Sequence, residues 1–228
     1  MWRCLKNLMS RILITGCVNE PATSIAKQLL ASGHLLVGHA NDELQAAHMM
    51  EVLPTAESFL IGDISNIAEA KLLATKANDL GSFDTVIHCG EAEYDLPRCR
   101  LTRDGLPLAF AANALAPYIL TALMRRPRSI AFLGSRLHLQ GRASLRDLHW
   151  RSREWDGQQA YFDSKLFAIV FARAIARLCS HISIDIFFYH DNQPVDCPLH
   201  KRVDDIALQN AFIAVCKRLS KEDLFFRS

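Results

Sequence analysis

The sequence contains no apolar run near the roughly 20 residues that a helix needs to cross a bilayer, so nothing in it reads as a membrane span. Neither sign of charge dominates. The 26 basic and 24 acidic side chains leave a formal charge of +2, too small for a strongly electrostatic nucleic-acid surface. Half of the residues are hydrophobic, which excludes a disordered, highly charged chain. The seven cysteines are scattered, with no CxxC pair, and read as those of a reduced, cytoplasmic protein and not of a disulfide scaffold. The nine histidines show no metal-ligand spacing. The length of 228 residues suits a single domain over 1–228 with one sizeable core, and a small molecule is its expected partner. The opening "MWRCLKNLMS" lacks the long apolar region and cleavage site of a leader. It reads as an extension over residues 1–10, or as a start-site artefact, because Met9 directly precedes "SRILITG"; a weak membrane-touching helix is the other reading.

What is present is an alternation of short β-branched runs with longer amphipathic ones. "RILITG" predicts a first strand and "ATSIAKQLLASGH" a helix with Ile25, Leu29 and Leu30 on one face. The same alternation follows through "LLVGHA", "ELQAAHMMEVL", "SFLIGD", "IAEAKLLATKANDLG" and "FDTVIHCG". It continues through "LPLAFAANALAPYILTALMRR", a long helix that Pro117 should bend, then "SIAFLGS", the segment around 158–178, "ISIDIFFYH" and "DDIALQNAFIAVCKRL". "EDLFFRS" is a candidate last strand. Such alternation predicts an α/β fold, a doubly wound parallel sheet with helices on both faces in a Rossmann-like three-layer sandwich. In that architecture ligands bind beyond the carboxyl ends of the strands, where Gly16, Asp63, Gly90, Ser135 and His190 should converge. The longest irregular stretch, "RASLRDLHWRSREWDGQ", is a candidate functional loop.

Within "QQAYFDSKLFAIVFARAIARL", Tyr161 and Lys165 stand four apart and so share one helix face. An ammonium beside a phenol favours the phenolate, which equips a tyrosine to pass a proton to or from a carbonyl or alcohol oxygen. The pair alone also fits an amphipathic helix with a surface lysine. Ser135 follows the fifth strand, where its hydroxyl is placed to hold a substrate oxygen. Asn113 lies mid-helix, where asparagine is a poor helix former, so structure and function are equally good reasons for it.

In that order, Asn113, Ser135, Tyr161 and Lys165 resemble the catalytic set of the short-chain dehydrogenase/reductase family, and the resemblance extends over about residues 10–190. The blocks "RLTRDGLPLAFAANALAPYILT" and "DLHWRSREWDGQQAYFDSKLFAIVFARAIARL" look like the subgroup of retinol dehydrogenases and the WW-domain oxidoreductase, and "AYFDSK" is also similar to protochlorophyllide reductase. The resemblance implies Tyr161 as general acid or base. Lys165 would lower its pKa and bind the nicotinamide ribose. It implies that Ser135 polarises the carbonyl, that Asn113 holds a relay water and that Asp63, in "IGDIS", contacts adenine; Asp63 is otherwise simply an acid at a helix N-terminus.

The family's first turn, TGxxxGxG, is only half kept. Thr15 and Gly16 remain, but Glu20 and Ala22 stand at the later glycine positions with Pro21 between them. Side chains crowd the approach of a pyrophosphate, and Glu20 brings negative charge to a helix end that would otherwise attract phosphate. The turn also reads as an ordinary helix start, since proline is comfortable at a first helical position. After the fourth strand "HCG" keeps only Gly90 of Asn-Ala-Gly, and after the sixth strand Tyr189 and His190 replace Pro-Gly. At the end of the second strand, where the cofactor ribose is read, stand His39, Ala40, Asn41 and Asp42.

The subgroup resemblance implies NADP(H), with NAD(H), or no dinucleotide at all, left open. The expected activity is carbonyl–alcohol interconversion on a small apolar substrate through Tyr161, Lys165, Ser135 and Asn113. Two alternatives stand beside it: a degenerate member acting as a non-catalytic binding or regulatory protein, and a cofactor-independent acid-base enzyme such as a dehydratase, cyclase or isomerase. Two long helices more apolar than one buried face requires predict a homodimer or homotetramer.

Overall fold

The structure, a computed structural model, describes residues 9–90, 94, 96–190 and 193–224. The expected extension therefore falls almost wholly outside the described residues. Seven strands form one sheet in the order β3-β2-β1-β4-β5-β6-β7. They are β1 (Arg11–Thr15), β2 (Leu35–Ala40), β3 (Ser58–Ile61), β4 (Thr85–His88), β5 (Ser129–Gly134), β6 (Ser183–His190) and β7 (Gln193–Val195). All neighbours pair in parallel except β6 and β7, which form an antiparallel hairpin with Phe188 opposite Val195. The doubly wound α/β sheet is as the alternation predicts. The last strand is not: it follows β6 directly, and Glu222–Leu224 are not extended into a strand, while residues 225–228 lie outside the described part.

The helices that cross between strands are α1 (Ala22–Ala31), α2 (Glu43–Val52), α3 (Ile67–Asp79), α4 (Leu108–Phe110), α5 (Ala116–Leu123) and α6 (Gly157–Leu178), and α7 (Ile206–Ser220) follows the last strand. Four begin on an Asp or Asn whose side chain accepts a first-turn N–H: Asp42 from Gln45, Asn66 from Glu69, Asp156 from Gln159 and Asp205 from Leu208. Each such cap contributes about 1 kcal/mol. Alternate residues of the buried strands serve opposite layers. Ile12 and Ile14 pack with α1 and α2, whereas Leu13 packs with α3 and α5. Among the described residues no helix is long and apolar enough to cross a membrane.

The long helix expected to bend at Pro117 is divided before it. Between α4 and α5, residues Ala111–Leu115 take a π-helical turn, and Pro117 falls in the first turn of α5. Proline has no N–H to give the carbonyl four residues back, here that of Asn113, so a strict α-helical ladder cannot run through this point. The wider turn carries Asn113 across the gap and turns its side chain into the interior. The other apolar helix, α6, is buried along both of its apolar sides. One faces the sheet, and α7 covers another, with Phe212 stacked on Phe167 at 5.7 Å and tilted against Phe171 at 5.8 Å. Part of the apolar surplus that predicts pairing between subunits is thus used inside the chain.

Candidate active site

The turn after β1 is held by a close glycine–glycine contact and by a buried histidine. Gly16 has φ +69°, and a Cβ at this position would come within 2.9 Å of Gly90 Cα, so the turns after β1 and β4 touch through two glycines. The Gly16 N–H donates to His39 Nδ1 at 2.9 Å, and the opposite ring nitrogen of His39 lies 2.8 Å from the Gly62 carbonyl. The ring is then the neutral Nε2–H tautomer, accepting from one turn and donating to the other. Burial holds its pKa down at about 4. His39, expected at the cofactor ribose, is fully buried. The period of two in β2 points it into the sheet's layer beside Val37, and it braces the turn after β1 from beneath. Thr15 is equally internal, its Oγ1 3.3 Å from His88 Nδ1. His88 has its Nε2 buried without a hydrogen-bond partner, and burial lowers its pKa to about 3.

At the start of α1 the sequence departs from the family and the geometry shows the result. Thr23 N–H donates to the Asn19 carbonyl at 3.1 Å, Ile25 N–H to that of Pro21 at 3.0 Å, and Ser24 N–H to Glu20 Oε2 at 3.1 Å. The Glu20 carboxylate therefore takes a first-turn donor of the kind that binds phosphate at helix N-termini. Ala22 is buried and forms part of a crevice wall.

That crevice, about 530 Å³, opens beyond the carboxyl ends of β1 to β4, and its walls include Gly16, Ala22, Asn41, Asp42, Asp63 and Gly90. Asp63 accepts from Ser65 N at 2.9 Å and Ser65 Oγ at 2.7 Å, and its own N–H donates to Glu69 Oε2 at 2.7 Å. Arg100 and Arg103 reach the same crevice from the segment between β4 and α4.

The catalytic candidates stand beside this crevice and meet it at Gly90. Lys165 Nζ donates to the Gly90 carbonyl at 3.2 Å and lies 5.6 Å from the centre of the Tyr161 ring. Both side chains are buried within α6. Asn113 Nδ2 donates to Ser164 Oγ at 3.0 Å, and Ser164 Oγ donates to the Tyr161 carbonyl at 2.7 Å, so the π turn is tied to the backbone of the tyrosine. Ser135, half-buried at the end of β5, accepts from Leu137 N at 3.3 Å and starts a short 3₁₀ turn, Arg136–Gln140. The ring of Tyr94 stands edge-on to Tyr161 at 5.4 Å. His190 ends β6, and its side chain lies outside the described part.

Two contributors escape a reading of the residues alone. Ser164 stands inside "AYFDSK", three residues after Tyr161, the spacing at which a helical hydroxyl meets a preceding carbonyl. His138 is the other. It is fully buried, with Nδ1 2.6 Å from the Ser135 carbonyl and Nε2 accepting from His200 N at 3.2 Å. No spacing distinguishes it in the sequence. The irregular loop after Gln140 is moored at two places: Asp163 of α6 accepts from Arg142 N at 2.7 Å, and Trp155 Nε1 donates to the carbonyl of Leu96, between β4 and α4, at 2.7 Å.

A mostly parallel sheet with its crevice at a topological switch point, and a Tyr–Lys helix beside it, define a protein of the Rossmann-like α/β class. No protein-family model matches the chain. The short-chain dehydrogenase chry4 of Gibberella zeae is 35% identical over 179 residues, 77% of this chain and 68% of that one. An uncharacterized oxidoreductase of Emericella nidulans is 39% identical over 171 residues, 74% of this chain and 64% of its own length. The chain thus spans about two thirds of the relatives it matches. It belongs to the short-chain dehydrogenase/reductase family. The retinol dehydrogenase likeness is narrower than the sequence blocks imply: human retinol dehydrogenase 13 is 32% identical over 82 residues, 33% of this chain. An uncharacterized protein from Mycobacterium paratuberculosis shares the fold, with a TM-score of 0.77, 19% identity and 94% of each chain covered.

Proposed function

We propose that the protein is an NAD(P)(H)-dependent oxidoreductase that interconverts a carbonyl and an alcohol on a small apolar substrate. The observation that carries this reading is the Lys165 ammonium on the Gly90 carbonyl, which joins the Tyr161 helix to the wall of the crevice. The crevice has the size and place for the adenosine half of a dinucleotide, with Asp63 at one end and Asn41 and Asp42 at the end of β2. A bound nicotinamide would supply or accept the hydride. Tyr161 holds the proton that passes to or from the substrate oxygen, and Lys165 favours the phenolate by charge. Ser135 donates to that oxygen. Asn113, through Ser164, fixes the tyrosine backbone and thereby its reach. The subgroup likeness favours NADP(H). Asp42 at the end of β2 favours NAD(H), since a carboxylate there accepts from ribose hydroxyls and repels a 2'-phosphate.

A second reading has its own observation. With Glu20 on Ser24 N–H the helix start is satisfied without a phosphate, as a non-catalytic binding protein, or an acid-base enzyme without a cofactor, would have it. Oxidation of NADPH and NADH against a panel of apolar ketones and aldehydes, with Tyr161→Phe as control, separates the readings. Turnover that Tyr161→Phe abolishes supports the oxidoreductase; turnover unchanged in that variant, or none with either cofactor, rejects it.

A further inference from the structure

We infer that Arg100 and Arg103 form the anion clamp of the crevice and meet the phosphate charge of a bound dinucleotide, a task that falls to the glycine turn and helix end elsewhere in the family. The inference rests on the oxidoreductase reading above and concerns how that same crevice holds its ligand.

Two first-turn donors of α1, the N–H groups of Thr23 and Ser24, are taken. Asn19, Glu20 and Pro21 receive the N–H groups of Thr23, Ser24 and Ile25, and the Glu20 carboxylate sets a negative charge where a diphosphate would lie. A dinucleotide that enters this crevice needs its charge met elsewhere. The acids along its walls cannot do so, and they are already engaged: Asp42 accepts from Gln45 N at 2.8 Å and Asp63 from Ser65 N and Oγ. The cationic side chains of the wall are Arg100 and Arg103.

Both arginines are presented by a built support. Leu101 and Pro107 form an isolated antiparallel bridge, Thr102 N–H donates to the Leu106 carbonyl at 2.8 Å, and Asp104 accepts from Ile67 N at 2.8 Å, which pins the segment to the start of α3. The Arg100 guanidinium is exposed and makes no hydrogen bond or ion pair with any described residue. Arg103 has only a long contact of 3.4 Å to Glu69 Oε1, with its own side chain 83% exposed, a pair of the kind that contributes little. Among the described residues these two guanidinium groups, one without an ion pair and one loosely paired, stand at the edge of a crevice where Glu20 already takes part of the usual phosphate seat. Guanidinium suits phosphate because its planar fork of donors matches paired oxygens.

Calorimetry on the full chain with NADPH, NADH, ADP and adenosine tests this in the wild type, Arg100→Gln, Arg103→Gln and the double variant. The expected result is a loss of about tenfold per arginine for ADP and the dinucleotides, with adenosine affinity within about twofold of wild type. The salt dependence of ADP binding should also flatten in the double variant. Undiminished ADP and dinucleotide binding in the double variant would overturn the clamp and leave the oxidoreductase reading intact. So would an equal loss for adenosine, which marks a damaged crevice. A wild type that binds neither dinucleotide would overturn both.

Discussion

Acid should loosen this protein from the turn after β1 outward, and the size of the effect follows from two buried rings. His39 and His88 are neutral in the folded chain, with pKa values lowered by burial to about 4 and about 3 from an ordinary 6.5. As pH falls below 6.5 the unfolded chain binds protons at these positions that the folded chain refuses. Stability is therefore fully present above pH 6.5 and is lost progressively down through the folded values. At pH 5.5 each ring costs about 1.4 kcal/mol relative to pH 8, about 3 kcal/mol together, out of a typical total of about 5–15 kcal/mol. His138 and His200, also held below their ordinary value, act in the same direction. A proton on His39 Nδ1 also removes the acceptor of the Gly16 N–H, so the turn after β1 loses its anchor in the same step. Urea unfolding between pH 8 and 5.5, above the range where most carboxylates titrate, reads the loss, and His88→Asn should reduce its slope. A free energy flat across that range would refute the assignment of both rings as neutral and internal.

Three other outcomes follow from the same geometry. Gly16→Ala forces a side chain at φ +69° to within 2.9 Å of Gly90 Cα; it should cost about 2–5 kcal/mol, read as a melting midpoint lowered by roughly 5–15 °C. Glu20→Gly with Ala22→Gly removes bulk and like charge from the start of α1 and should tighten NADPH binding in calorimetry; unchanged or weaker binding would place that turn away from phosphate. Asn113→Ala leaves Ser164 and the buried π turn without their shared hydrogen bond and should cost about 1–3 kcal/mol in denaturant unfolding.

Much of the fold is legible because its strands are buried runs that local pattern marks clearly, such as Ile12, Leu13 and Ile14, and because longer amphipathic runs alternate with them. The Tyr161–Lys165 spacing was equally plain, since it is a property of one helix. What escaped depends on distant partners. β7 contains Gln193 and Pro194 and exists only because β6 offers an edge. His39 was read as a ribose contact from its place at a strand end, yet the alternation of β2 sends its side chain inward, to Gly16 and Gly62. The surplus of apolar residues on α6 pointed to a second subunit, but Phe212 of α7, some forty residues later, covers part of it.

The central claim is that a dinucleotide enters the crevice beside Tyr161 although Glu20 takes part of the usual phosphate seat. Titration of the full chain with NADPH and with NADH, followed by calorimetry, addresses it most directly. Saturable micromolar binding of at least one of them is the predicted result. Absent or millimolar binding of both would contradict it.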